Sequence, residues 1–312
     1  MSSRTKKRVF VTGASGFVGT TLIQVAADDV PGVETDHLEI HPAPVDLDLR
    51  DPDSVLRAVH HARPDAVIHL AARAAVAESF SDPYGTYAVN FLGTLNLLSA
   101  LRAAGFSGRF LYVSSGDVYG AVPSDKLPIR EELPLAPRSP YAVSKAAAEL
   151  LCGQWERSHD IDIVICRPFN HIGPGQDRRF AISEFAAQLV AIKRSGAAPI
   201  LEVGNIDVTR DFLDVRDVVR AYFLLLDHGK RGVVYNVCSG REQSLRTMIE
   251  LLSERLGLNV EIRIDPSRVR AHEQLRVAGS PDRLVADTGW APRENLQNTL
   301  DRIIGYWEMK TT

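Results

Sequence analysis

The chain has 312 residues, which at roughly 150 residues per domain predicts about two domains, or one large domain with a lobe. Hydrophobic residues make up 45% and charged residues 24%, so neither disorder nor collagen-like repetition describes the whole. The net charge of −3, from 36 basic and 39 acidic residues, gives no electrostatic reason to expect nucleic acid or an anionic membrane as the main partner.

The elements follow in chain order. Residues 1–8 are basic and polar and lead into a strand at 9–12. No apolar segment of a signal peptide precedes it, and no run approaches the roughly 18–20 apolar residues of a membrane span. A cytoplasmic protein is expected. Phe17–Ala27 reads as a helix, Pro31 and Gly32 break the chain, and a second strand is expected within 33–40. Helices at 53–61, 91–104 and 141–158 alternate with apolar strands at 66–70, 110–114 and 161–166. Strands apolar on both faces and separated by helices predict βαβ units and a parallel sheet, hence an α/β, Rossmann-type doubly wound fold. Beyond Pro168 the pattern loosens. Gly173-Pro174-Gly175 is a turn, 182–194 an amphipathic helix, and 199–203 and 233–237 are strand-like. Residues 245–256 form a helix closed by Gly257, and 279–309 is mixed. Residues 1–167 are therefore read as a dinucleotide-binding domain, with part of 208–240 returning to it. Residues 168–312 are read mainly as a smaller C-terminal substrate lobe. Cys152, Cys166 and Cys238 are widely spaced and match no zinc or CxxC pattern, so buried free thiols and no metal are expected.

The first strand runs into Gly13-Ala14-Ser15-Gly16-Phe17-Val18-Gly19 and then a helix. Glycines there permit a tight turn, let backbone amides approach a pyrophosphate and let the helix pack closely on the sheet. The spacing is GxxGxxG; its place between strand and helix gives the pattern its weight. Asp36, Glu39 and His41 occupy the window where an acid would hold the ribose of NAD, and no arginine or lysine stands there for the NADP phosphate. That leans toward NAD, but a later loop could supply a cation, and the choice of NADH or NADPH stays open. Asp48-Leu49-Arg50-Asp51 is placed after the third strand, where it could border the adenine or form a solvated turn.

Tyr141 and Lys145 are four residues apart and share one helix face. A nearby ammonium would bring a tyrosine's high pKa toward the working range. Ser115 follows a strand, on the carboxyl side of the sheet where ligands bind, and its hydroxyl could reach a substrate oxygen beside Tyr141. The pair Glu131-Glu132 lies among prolines and reads as a solvated loop, while His60-His61 point to different faces of a helix.

The segments TGASGFVG at 12–19, SSGDVYG at 114–120 and YAVSK at 141–145 resemble the extended short-chain dehydrogenase/reductase family. HLAA at 69–72 and NFLGTLNLL at 90–98 fit the same pattern, so the likeness covers nearly the whole chain. The resemblance implies a nicotinamide cofactor, NAD(P)H, and a nucleotide-sugar substrate. It maps a catalytic triad onto Ser115, Tyr141 and Lys145. It implies cofactor contacts from Gly13, Ser15, Gly16, Phe17, Val18 and Gly19, from Asp48 and Leu49, and from Leu70, Ala71, Ala72, Asn90 and Pro168. RPFNHIGPGQ at 167–176, the GNxDxxRD-like stretch at 204–211, YNVCSG at 235–240 and RAHE at 270–273 are most similar to reductases of GDP-linked 4-keto-6-deoxymannose. That likeness implies substrate contacts from Arg73, Ser114, Asp117, Asn170, Arg210, Arg270 and Glu273. Two arginines suit a diphosphate, although any one of these residues alone could be a solvated surface group.

Dehydratases in the family carry Thr-Asp-Glu or Thr-Ser-Glu where this chain has Ser115-Gly116-Asp117. Gly116 has no side chain for acid work, which argues for a 4-ketoreductase making GDP-D-rhamnose or its C4 epimer GDP-6-deoxy-D-talose. A dehydratase or epimerase with tightly bound NAD, and a non-catalytic cofactor sensor, stay as alternatives. Relatives also imply a homodimer through two helices per subunit, here 84–102 and 141–157.

Overall fold

The structure is a computed structural model describing residues 6–28, 34–196, 198–268 and 274–310. The first part alternates strictly: β1 (Lys7–Thr12), α1 (Phe17–Ala27), β2 (Leu38–Pro42), α2 (Pro52–Ala62) and β3 (Ala66–His69). Short helices α3 (Val76–Ser81) and α4 (Pro83–Tyr87) lead through one π-helical turn at Ala88–Leu92 into α5 (Gly93–Ala103). Then come β4 (Arg109–Val113), α6 (Pro140–His159) and β5 (Asp162–Pro168). The second part holds β6 (Asn170–Ile172), α7 (Ala181–Ser195), β7 (Ile200–Val203), β8 (Thr209–Asp214), α8 (Val215–His228) and β9 (Val234–Val237). It ends with β10 (Glu242–Ser244), α9 (Leu245–Leu256), β11 (Glu261–Ile264), α10 (Asp282–Thr288) and α11 (Leu296–Lys310).

The main sheet has six parallel strands in the order β2-β1-β3-β4-β5-β9. Side-chain alternation along each strand sorts the apolar runs onto two covered faces. Val9, Val11, Ala66, Ile68, Leu111, Val113, Val164 and Cys166 join one core with α1 and α8. Phe10, Val67, Phe110, Tyr112, Ile163 and Ile165 join the other with α2, α5 and α6. Burying each large apolar side chain is worth about 1.5–3 kcal/mol, so the doubly covered sheet is the stable platform of the molecule. Although late in sequence, α8 packs against α1 and β9 pairs with β5. A third core joins α7, α9 and α11 to β7. Two small sheets, β10-β8-β6 and β11-β7, complete the C-terminal part.

Local chemistry explains the element boundaries. Asp51 accepts from the Asp53 amide at 3.0 Å and Pro52 opens α2. Ser139 caps α6 on the Ala142 amide at 3.1 Å, with Pro140 at the first turn. Ser244 opens α9, and Gly257 closes it at φ 67°.

Several expectations shift. The second strand lies at Leu38–Pro42 rather than within 33–40, because its register on β1 pairs Leu38 with Lys7 and places the buried Leu38 against the core. Asp48-Leu49-Arg50-Asp51 follows β2 and precedes α2; it does not follow the third strand. The helix expected at 91–104 begins as the π turn, and α4, that turn and α5 run on continuously from 83 to 103.

Candidate active site

The sheet order reverses at β1, which has β2 on one side and β3 on the other. The carboxyl ends of β1 and β3 therefore border the crevice in which such sheets bind ligands. Gly13 sits there at φ 71°, and a Cβ on it would lie 2.7 Å from the Ala71 amide nitrogen. Only glycine allows this turn to close on the end of β3. Gly16 caps α1 in extended conformation, and no side chain satisfies the first helical amides. Those amides are presented to a ligand together with the positive end of the helix dipole. Ser15 and Gly16 are exposed, and Phe17 and Val18 half-buried, beside Leu70, Ala71 and Ala72. The turn fits a dinucleotide pyrophosphate.

A chain of hydrogen bonds runs from this turn to the catalytic helix. The Ala71 amide donates to Thr12 Oγ1 at 3.3 Å, and Thr12 Oγ1 lies 2.6 Å from His69 Nδ1. His69 Nε2 lies 3.0 Å from Thr94 Oγ1, which itself donates to the Asn90 carbonyl at 2.7 Å. With the Thr94 proton so committed, His69 donates through Nε2 and accepts through Nδ1. Burial first, and the Lys145 charge second, push its pKa down to about 3, so it stays neutral. Asn90 is fully buried and committed. Its Oδ1 accepts from the Arg73 amide at 2.8 Å, and its Nδ2 donates to the Arg73 carbonyl at 3.2 Å and to Ser144 Oγ at 2.9 Å. Ser144 in turn donates to the Tyr141 carbonyl. Asn90 was expected to touch the cofactor; its side chain instead ties the 71–75 loop to α6. Asp48 is also engaged, gripped by Arg50 at 2.8 and 2.9 Å, and the Arg50 side chain holds its pKa down to about 2. Leu49 is buried, with Gly93 packed against it.

Ser115, Tyr141 and Lys145 come together where β4 ends and α6 begins. Ser115 is extended and its Oγ accepts from the Asp117 amide at 3.1 Å, which leaves its proton free to donate. The Ser115 side chain acts on the Tyr141 phenol in the direction that favours its ionised form. Burial, and then the Asp117 carboxylate, push the Tyr141 phenol up, and the Ser115 hydrogen bond opposes them. Lys145 is buried, and its Nζ donates to the Val113 carbonyl at 2.8 Å. Burial brings its pKa down to about 8, with Cys166, Glu149 and Cys152 acting the other way. The expected lowering of the phenol by Lys145 is not what this arrangement gives. The ammonium rests on the β4 backbone, and desolvation keeps Tyr141 protonated at neutral pH.

Under the triad lies a polar layer that sequence reading missed. Ser114 Oγ, expected to face substrate, instead donates to the buried Glu149 carboxylate. Arg167 of β5 donates to the same carboxylate at 2.6 and 3.0 Å, and to Tyr119 Oη at 2.8 Å. Tyr119 then donates to Asn236 Oδ1 at 2.7 Å. The signal for Glu149 was present: Tyr141, Lys145 and Glu149 follow one another at intervals of four along a single helix face.

The expected substrate contacts are scattered. Arg73, expected to face a sugar, pairs with Asp82 across Gly85, where a Cβ would collide with both side chains. Asn170 is exposed at the start of β6, and Pro168 is buried at the end of β5. Arg210 on β8 donates to the carbonyls of Thr209 and Gln274 at 2.8 and 2.9 Å. Its neighbour Asp211, which sequence reading passed over, is buried and accepts from the amides of Ser239, Gly240 and Gly279, fixing the turn around 239–241. Arg270 and Glu273 lie outside the described residues. His171 stacks on Phe17 with ring centroids 6.0 Å apart, joining the start of α1 to β6. Among the described residues no cluster could hold a metal, and no helix is long and apolar enough to cross a membrane.

Comparison with known proteins places this geometry. The family described as GDP-mannose 4,6 dehydratase matches residues 10–303. GDP-6-deoxy-D-mannose reductase of Pseudomonas aeruginosa is 52% identical over 305 residues, covering 97% of this chain and 98% of the relative. The solved structure of RMD from Pseudomonas aeruginosa complexed with NADPH has a TM-score of 0.91 at 50% identity, covering 98% of both chains. UDP-glucose 4-epimerase of Thermus thermophilus, solved in complex with NAD, has a TM-score of 0.82 at 30% identity over 96% of this chain and 98% of its own.

Proposed function

The chain belongs to the GDP-mannose 4,6-dehydratase family of extended short-chain dehydrogenases/reductases, and from that premise we propose that it is a reductase rather than a dehydratase. Its reaction is the reduction of the C4 ketone of GDP-4-keto-6-deoxy-D-mannose to GDP-D-rhamnose or the C4 epimer. The similarity to the Pseudomonas reductase supports the GDP-linked substrate. The likeness to its NADPH complex supports a nicotinamide reductant, with NADPH the form to test first.

One observation favours reduction over dehydration. A Cβ on Gly116 would lie 3.2 Å from the Phe169 ring, which would have to give way by a few tenths of an ångström. An acid side chain at 116, where dehydratases carry one, requires Phe169 to move. The chain therefore keeps a proton donor in Tyr141 but has no second acid at that point.

When bound, reduced nicotinamide supplies a hydride to the keto carbon. Gly13, Gly16 and Gly19 would receive its pyrophosphate at the start of α1, with Leu70, Ala71 and Ala72 alongside. Tyr141, held protonated by burial, gives its proton to the oxygen that becomes an alkoxide. Ser115, whose acceptor side is occupied by the Asp117 amide, donates a hydrogen bond to the same oxygen. Lys145, its pKa brought down to about 8 by burial, would hold the nicotinamide ribose. Asp117 holds a sugar hydroxyl. Asn170, Arg210, Arg270 and Glu273 receive the GDP moiety.

We also read the enzyme as a cytoplasmic homodimer. Tyr84 and Leu150 are 87% and 72% exposed, and Phe80, Leu92 and Val143 are exposed too, on α3, α4, the π turn and α6, where α4 packs against α6. A second copy would cover that apolar face. Three buried free thiols suit a reducing compartment.

The test supplies GDP-4-keto-6-deoxymannose, made from GDP-mannose by a separate dehydratase, and follows loss of reduced-nicotinamide absorbance with NADPH and NADH. Consumption above the dehydratase-only control is the expected result. No consumption with either cofactor overturns the reading in favour of a dehydratase or epimerase with retained NAD.

A further inference from the structure

The catalytic face of α6 continues one turn below the pair the reaction uses. Tyr141, Lys145 and Glu149 lie on it in succession, and Glu149 is buried. Its carboxylate accepts from Ser114 Oγ on one side and from Arg167 Nε and Nη2, at 3.0 and 2.6 Å, on the other. Ser114 stands between the two backbone points that the site depends on. Before it, the Val113 carbonyl accepts from Lys145 Nζ; after it, Ser115 carries the hydroxyl that meets Tyr141. The Ser114 amide is pinned to the Cys166 carbonyl at 2.8 Å, so its side chain is what sets the remaining freedom at the end of β4. Arg167 is itself fixed by Tyr119, which reaches Asn236 on β9.

We propose that Glu149 is a positioning residue for the reduction: gripped by Arg167, it anchors Ser114 and so sets Lys145 and Ser115 in place beside Tyr141. The proposal rests on the reading of Ser115, Tyr141 and Lys145 as the reacting groups.

Glu149 also governs the charge of Lys145. The groups around that ammonium are the Tyr112 ring on β4 at 5.2 Å, His69 on β3, Cys166 on β5, and Tyr141, Cys152 and Glu149 on its own helix, with Arg167 behind Glu149. His69 is neutral, and burial pushes both thiols and both phenols upward, so all of these are uncharged near neutral pH. The groups that oppose burial at Lys145 are Cys166, then Glu149 and Cys152, and of these three Glu149 is the carboxylate. Without it, burial and the unpaired Arg167 both favour loss of the proton.

The test is steady-state kinetics of Glu149→Gln across pH, beside Ser114→Ala and the double variant Glu149→Gln/Arg167→Met, which removes both buried charges. For Glu149→Gln, kcat is expected to fall about 10-fold or more. KM for the sugar nucleotide should stay within about 3-fold, and the alkaline limb of kcat should move down by about one pH unit. Ser114→Ala should lower kcat about 3-fold or more without moving that limb, since the carboxylate remains. A folded Glu149→Gln with wild-type kcat and pH profile overturns the proposal, as does a loss that follows thermal stability while the limb stays in place. If Glu149→Gln does not fold, the double variant and Ser114→Ala decide: wild-type kcat in both overturns it. NMR titration of 13C-labelled lysine, assigned with Lys145→Met, reads the Lys145 pKa directly in wild type and variant. That titration holds even if the chain reduces no keto sugar, so failure of the substrate reading is told apart from failure of this one.

Discussion

Along β4, β5 and α6 the polar groups around the triad are buried and bonded to one another, from Ser114 through Glu149 and Arg167 to Tyr119 and Asn236. On the C-terminal side Asp211 is buried and bonded in the same way, but the arginines are held otherwise. Arg178 and Arg179 are exposed and pair with Glu184, Asp177 and Glu78, and Arg210 holds backbone carbonyls. Buried, mutually satisfied groups fix positions before substrate arrives, whereas exposed ion pairs are weak and exchange partners cheaply. On the proposed reading, the contrast separates chemistry, which needs preset geometry, from recognition, which tolerates rearrangement.

Substitutions on the two sides should therefore fail differently. The largest effect is expected from Tyr141→Phe, which removes the proton donor while leaving the ring in its packed place. Steady-state assays should find kcat lowered about 1000-fold with little change in KM. Gly13→Val comes next. A side chain there would meet the Ala71 backbone at φ 71°, so calorimetry should find cofactor affinity largely lost and the melting temperature lowered, with strain of about 1–3 kcal/mol. Arg210→Met tests the other side: KM for the sugar nucleotide should rise about 10-fold while kcat stays within about 2-fold. An equal fall in kcat would place Arg210 with the chemistry and blur the contrast. Leu150→Asp should change activity least. It puts a charge on the exposed α6 face, and sedimentation should find monomer where the proposed dimer is expected of the wild type.

Sequence reading reached the platform because its cause is local. Continuous apolar runs mark β1, β3, β4 and β5, and Gly257 marks the end of α9. The four-residue spacing of Tyr141 and Lys145 on one helix face was legible, and the family likeness joined to them Ser115, just past the end of β4. Sequence reading failed where orientation depends on a distant partner. Asn90 and Ser114 are polar residues at the right strand and helix positions, but their side chains turn toward Arg73 and Glu149. Arg167 was read as part of a substrate segment, though burial against a carboxylate 18 residues away sets its role. The second strand was misplaced because its position follows from register on β1.

The central claim is that a hydride reaches the keto carbon while Tyr141 supplies the proton. Its most direct test uses NADPH deuterated at C4 of the nicotinamide, incubated with GDP-4-keto-6-deoxymannose and this enzyme. Mass spectrometry and NMR of the product should find one deuterium, at C4 of the sugar, with one cofactor oxidised per sugar reduced. A product without the label, formed with no net oxidation of cofactor, would contradict the account.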